Sequence, residues 1–217
     1  MPLPPSDPFL RLKARGSATN ESGRFEPYGR EVVHDGWDIP EEERLLRTEV
    51  AEERPRSVIN YVGSPDLPFD RSINPYRGCE HGCSYCFARP SHAYLGLSPG
   101  LDFETRLIAR PEAPKILERE LGRKAYVPNV MAIGTNTDPY QPIESRYRIM
   151  RQVLEVLSDW NHPVAIVTKG ALIERDIDIL SDMARRGLVH VGISVTTLDA
   201  ELCRGLEPRA PTPARRL

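Results

Sequence analysis

From residue 58 onward, short apolar runs alternate with longer stretches whose apolar residues recur every three or four positions. Val58-Ile59-Asn60-Tyr61-Val62 predicts a short strand, closed by the turn residues Gly63-Ser64-Pro65-Asp66. Ser72-Ile73-Asn74 predicts a second strand, which Pro75 ends because proline brings no N–H to a ladder. Pro90 and Pro99-Gly100 keep the following region short-ranged, with Phe87, His92 and Tyr94 expected to pack over the loop before it. Phe103 to Ala109 can extend, and Pro111-Glu112 opens a helix that runs through Leu121.

Beyond residue 129 the pattern becomes regular. Val130-Met131-Ala132-Ile133 and Val164-Ala165-Ile166-Val167 read as buried strands. Ile149, Val153, Leu154, Leu157 and Trp160 form a helical stripe between them. Ile173, Ile177, Leu180 and Ala184 mark a further helix, with Gly187 suited to the position just past its end. Val189, Val191, Ile193 and Val195 alternate with His190, Gly192 and Ser194, a strand with two different faces. Strand–helix repeats of this kind predict an α/β fold with parallel strands and right-handed crossovers. The ordered core is expected to span 58–217.

Residues 1–57 are rich in Pro, Arg, Glu, Ser and Gly and show no sustained period, so an irregular, poorly ordered N-terminal extension is expected. Glu41 to Leu46 could add a helical turn or two. The 217 residues, 40% hydrophobic and 28% charged, suit one sizeable globular domain. A net charge of -2 leaves no basic footprint for holding duplex nucleic acid by bulk electrostatics. No apolar run approaches the ~18 residues of a membrane span.

The chemistry concentrates in Gly78-Cys79-Glu80-His81-Gly82-Cys83-Ser84-Tyr85-Cys86, which holds three of the four cysteines at C-x3-C-x2-C spacing. Thiolates suit soft metal centres, and so tight a loop brings them to one small volume. Three sulfurs offered to a four-iron cubane leave one iron open to a small molecule. The same cysteines with His81 could instead make a structural Cys3His zinc site, or stay plain buried thiols. A disulfide fits least, because nothing resembles an export signal and a chain this long needs no staple. Reduced thiols without an export signal point to the cytoplasm.

Polar residues also gather where ligands sit in parallel sheets, at the carboxyl ends of the strands. Cys79 follows one strand, Thr137 and Asp138 the next, Lys169 the third, and Ser194 lies near the end of the fourth.

Cys79, Cys83 and Cys86, with Tyr85 immediately before the last, resemble the signature loop of the radical S-adenosylmethionine (SAM) superfamily. Asn74-Pro75-Tyr76-Arg77-Gly78-Cys79, Thr137-Asp138-Pro139-Tyr140-Gln141, Thr168-Lys169 and Ile193-Ser194-Val195 are similar to the branch related to spore photoproduct lyase. The likeness runs from about Ser57 to Leu217. It implies a [4Fe–4S] cluster on Cys79, Cys83 and Cys86, with SAM bound at the open iron and a radical abstracting hydrogen from a substrate. By the same resemblance, Tyr85 lies against the adenine. Asn136, Thr137 and Asp138 approach the methionine amino group or ribose. Lys169 faces the SAM carboxylate, joined there by Arg209 as a candidate, and Ser194 meets the ribose. Cys203 is a candidate thiol outside the motif. The implied partners are a reductant such as flavodoxin or ferredoxin and an unidentified substrate, with a nucleic-acid lesion as one candidate. The implied fold is a partial (β/α) barrel of the radical SAM type. Measured against about six strand–helix units in that superfamily, it is expected to be truncated after the fourth strand. A cluster-binding chain without turnover therefore stands beside the enzyme as an alternative.

Overall fold

In the computed structural model, which describes residues 15–26 and 47–217, Ile73, Ile133 and Ile166 stand side by side on three neighbouring strands. All three are fully buried, which is why short runs so rich in apolar residues form the middle of a sheet. In chain order the elements are β1 (Glu49–Glu52), β2 (Ile59–Tyr61), β3 (Arg71–Ile73) and β4 (Tyr76–Arg77). A 3₁₀ turn over Arg89–Leu95 leads to α1 (Asp102–Thr105), β5 (Arg106–Ala109), α2 (Ala113–Leu121) and β6 (Met131–Ile133). Then come α3 (Glu144–Tyr147), α4 (Ile149–Asp159), β7 (Val164–Thr168), α5 (Ile177–Arg185), β8 (Val189–Ile193), α6 (Ala200–Leu206) and α7 (Pro213–Arg216).

The larger sheet has the order β2-β3-β6-β7-β8. Strands β3, β6, β7 and β8 are parallel, and β2 adds an antiparallel edge. This is the expected α/β arrangement of consecutive parallel strands with helices between them, and among the described residues it forms an open sheet rather than a closed barrel. The stripe of α4 packs as its spacing predicts, with Ile149, Val153, Leu154 and Leu157 fully buried. Trp160 falls outside that stripe, because α4 ends at Asp159 and the indole lies half-exposed beside Gly122. Gly187 adopts φ +68° one turn past α5, where its N–H bonds to Ala184 O at 2.9 Å. On β8 both Val191 and Ile193 are exposed, since no described element covers that margin of the sheet.

Two expectations change. The segment before Ser57 is not all irregular, because Glu49–Glu52 forms β1 and pairs in parallel with β5 in a second sheet, β1-β5-β4. Those four residues carry almost no apolar signal of their own, and backbone pairing with β5 supplies the order. Residues 15–26 also pack: Arg15 is buried and donates to Glu104 O at 2.9 Å. The proposed turn at Glu41–Leu46 lies outside the described residues. Lastly, Phe103 to Ala109 does not extend throughout. Its first half coils as α1, where Thr105 Oγ1 bonds back to Leu101 O at 2.8 Å.

Candidate metal and cofactor centre

The cysteine loop begins where β3 and β4 run out, and it turns on two left-handed glycines, Gly78 (φ +74°) and Gly82 (φ +66°). A Cβ on Gly78 would stand 2.6 Å from Leu107 and 2.8 Å from Phe103 O. Only glycine fits so close an approach. Backbone and side-chain bonds then hold the loop on every side. Cys79 N donates to Phe103 O at 2.9 Å, and Ser84 N to Leu206 O at 2.9 Å. Gln141, fully buried, bonds twice, with Nε2 on Gly78 O at 3.1 Å and Oε1 receiving Glu80 N at 3.0 Å. Arg89 clasps Cys83 O through Nε (3.1 Å) and Nη2 (2.9 Å), and is itself held by buried Glu104 at 2.5 Å. The N-terminal segment reaches the same loop, with Gly16 N on Glu104 Oε2 and Thr48 Oγ1 on Glu80 Oε1.

Cys79, Cys83 and Cys86 open onto a cleft of about 130 Å³ that is also lined by Tyr85, Asn136, Thr137, Asp138, Lys169 and Ser194. The four strand exits thus bring these nine residues, all named from the sequence for cluster or cofactor, to one place, with Arg209 outside it. Their surroundings differ. Thr137 is buried and donates to Tyr76 O at 2.9 Å. Asp138 accepts from Thr168 Oγ1 (2.6 Å), Lys169 N (2.7 Å) and Tyr140 N (2.9 Å), so its carboxylate is engaged in tying the β6 exit to the β7 exit. Lys169 Nζ donates to Ser194 Oγ at 2.9 Å and lies 5.9 Å from the centre of the Tyr85 ring. Two side candidates sit elsewhere. Arg209 donates to Glu80 Oε1 at 3.0 Å, and Cys203 is buried between Glu207 and Arg216. Phe87 and Tyr94 do not pack over the loop, being 79% and 74% exposed. His92 alone does, buried edge-on against Phe103.

Burial pushes the Cys83 thiol up to about 12, with Cys79 adding to the effect and Lys169 opposing it. Burial also raises Cys86. A bound metal reverses that preference, because a coordinated thiol loses its proton outright. Burial disfavours a charge on His81, yet the neighbouring Asp138 and Cys79 overcome it and raise the imidazole to about 10. Its Nδ1 faces Asp138 Oδ2 at 3.4 Å rather than the cleft. Burial opposes the charge on Asp138, yet His81, with Lys169 N and Thr168 Oγ1, holds its carboxyl low. Among the described residues, no three His, Cys, Asp or Glu side chains close on one point as ligands of a single ion do. Cys79, Cys83 and Cys86 instead share the lining of one cleft.

Residues 73–217 match the model of the radical SAM superfamily. The chain belongs to that superfamily. Radical SAM proteins use a [4Fe–4S] cluster and S-adenosylmethionine, and three converging thiols with polar strand ends fit both groups. Uncharacterized protein Rv2578c of Mycobacterium tuberculosis is 41% identical over 163 residues, 75% of this chain and 48% of the relative. Uncharacterized protein MJ0683 of Methanocaldococcus jannaschii is 25% identical over 146 residues, 67% of this chain and 51% of its own length. The chain thus spans about half the length of the curated relatives it matches. No solved structure matches it.

One buried residue at this radical SAM centre escaped the sequence reading. Glu207 is 1% exposed and accepts from Thr196 Oγ1 (2.6 Å), Arg216 Nη2 (2.5 Å) and the Tyr85 hydroxyl. Its one advance signal was Asp199, which caps α6 by accepting from Glu201 N and Leu202 N and so announces a helix ending near Glu207.

Proposed function

We propose that this chain is a radical SAM enzyme whose Cys79, Cys83 and Cys86 hold the cluster. Bound there, cluster and SAM would supply one-electron reductive chemistry at the sulfonium for hydrogen abstraction from a substrate. The observation that carries the reading is the single cleft shared by the three thiols and four successive strand exits. Lys169 offers its ammonium to the SAM carboxylate as a charge-assisted donor. Tyr85 places its ring along the adenine, and Ser194 and Asn136 offer polar contacts to the ribose and methionine ends. Thr137 and Asp138 act mainly on the protein side, holding Tyr76 and the Thr168-Lys169 turn in place.

The electron would come from a cytoplasmic flavodoxin or ferredoxin. A place in the spore photoproduct lyase branch, with a nucleobase lesion as the hydrogen donor, draws its support from the likeness of residues 74–79 and 137–141. Faster substrate consumption with ultraviolet-damaged DNA than with RNA or peptide checks that finer step. For the reaction class, anaerobic reconstitution should give a brown protein that forms 5′-deoxyadenosine from SAM when reduced. Cys83→Ala should lose both colour and product. Turnover retained in that variant, or zinc in place of iron in the anaerobically purified chain, refutes the assignment.

A further inference from the structure

The segment after β8 does more than continue the chain. Its backbone and Arg209 touch the cysteine loop repeatedly: Leu206 O receives Ser84 N, Arg209 N donates to His81 O at 3.2 Å, and Arg209 Nη2 reaches Glu80. At the centre of this hook sits Glu207, behind the cleft rather than in its lining. Its Oε1 takes hydrogen bonds from Tyr85 and from Thr196, and stands 3.8 Å from Lys169 Nζ. Tyr85 Oη and Thr196 Oγ1 are themselves 2.8 Å apart. Oε2 is held by Arg216, whose Nη1 also binds Ser194 O at 3.0 Å. One buried carboxylate therefore connects a residue of the cysteine loop, the end of β7, the segment after β8, and α7.

We infer that Glu207 is a positioning residue for SAM, acting through Tyr85 and Lys169 and anchored by Arg216. An ammonium carries three N–H donors. Ser194 takes one on Lys169, and the negative charge of Glu207 draws the amine to a fixed place at the wall of the cleft. The same oxygen fixes the Tyr85 hydroxyl, so ring and amine keep a constant separation. The Arg216 pair lies out of solvent, with side chains 1% and 0% exposed, and its geometry is correspondingly rigid. The inference rests on the cleft being the SAM site.

The test uses the reconstituted full chain and reads SAM affinity, together with the change SAM makes in the paramagnetic resonance spectrum of the reduced cluster. Glu207→Gln keeps the shape and removes the charge. Because it leaves the buried Arg216 charge without its counter-charge, Glu207→Gln combined with Arg216→Met is made beside it. The expected result is unchanged iron per chain, SAM affinity weakened at least about tenfold, and an altered SAM-dependent spectrum. In a Lys169→Met background the same change should cost less than in wild type, since part of its effect runs through Lys169. Affinity within about twofold of wild type, or losses that simply add, overturns the inference. Should neither variant load iron, Thr196→Val decides, because it takes one donor from Oε1 and leaves the Arg216 pair. Weaker SAM binding then supports the inference, and unchanged binding overturns it. A wild-type chain that loads iron but binds no SAM defeats the functional reading, and the inference with it.

Discussion

Gln141→Leu isolates what holds the cysteine loop in shape. The side chain is fully buried, and its amide satisfies two buried backbone groups, Gly78 C=O and Glu80 N–H, on either side of Cys79. Leucine fills a similar volume, so no large cavity term enters. Each orphaned buried group costs about 1–3 kcal/mol, which puts the loss of stability at about 2–6 kcal/mol if the loop keeps its place. If the loop instead relaxes towards water, stability recovers and Cys79 leaves its position, so the penalty moves to cluster loading. Urea unfolding of the anaerobic holoprotein reads the first quantity and iron per chain the second. Gln152→Leu serves as control, because that amide is solvent-exposed and its partner is Arg148 O at 3.1 Å. Surface changes of that kind stay within about 0.5 kcal/mol. A Gln141→Leu protein matching the control in both stability and iron would refute the claim that this amide braces the loop.

Gly134 has φ +88°, and a Cβ there would stand 1.9 Å from Val167 O, so Gly134→Ala should push the exits of β6 and β7 apart. A lowered melting temperature together with weaker SAM binding is the expected pair of results. Leu154→Ala, at a fully buried position of α4 remote from the cysteines, should cost about 2–5 kcal/mol in urea while leaving iron per folded chain unchanged. His162 is buried, with Nε2 2.6 Å from the Tyr126 hydroxyl, and burial lowers its proton affinity below the ordinary 6.5. The unfolded chain then binds more protons than the folded one as pH falls below that value. Stability from this group is therefore full above about pH 6.5 and is lost on acidification through the lower folded value. His162→Gln should flatten that part of the urea midpoint-versus-pH curve, and an identical curve in the variant would contradict the sign.

The sequence by itself determined the motif and the repeating architecture. Three thiols within eight residues point towards a metal centre through their spacing, and buried strands such as Met131–Ile133 and helical stripes such as Ile149–Leu157 announce themselves because burial of one face imposes a period. Tertiary structure decided what has no local period. Strand β1 forms from Glu49-Val50-Ala51-Glu52 only because β5 offers it backbone partners. Asp138 stands out in the sequence as a cofactor candidate, and only the fold shows that its oxygens also accept from Thr168, Lys169 and Tyr140. Glu207 is 121 residues beyond Cys86 and sits in a Pro-rich stretch, yet it contacts Tyr85. A hydrogen bond between groups so distant in the chain leaves no trace in spacing or composition, because chain folding alone brings them within reach.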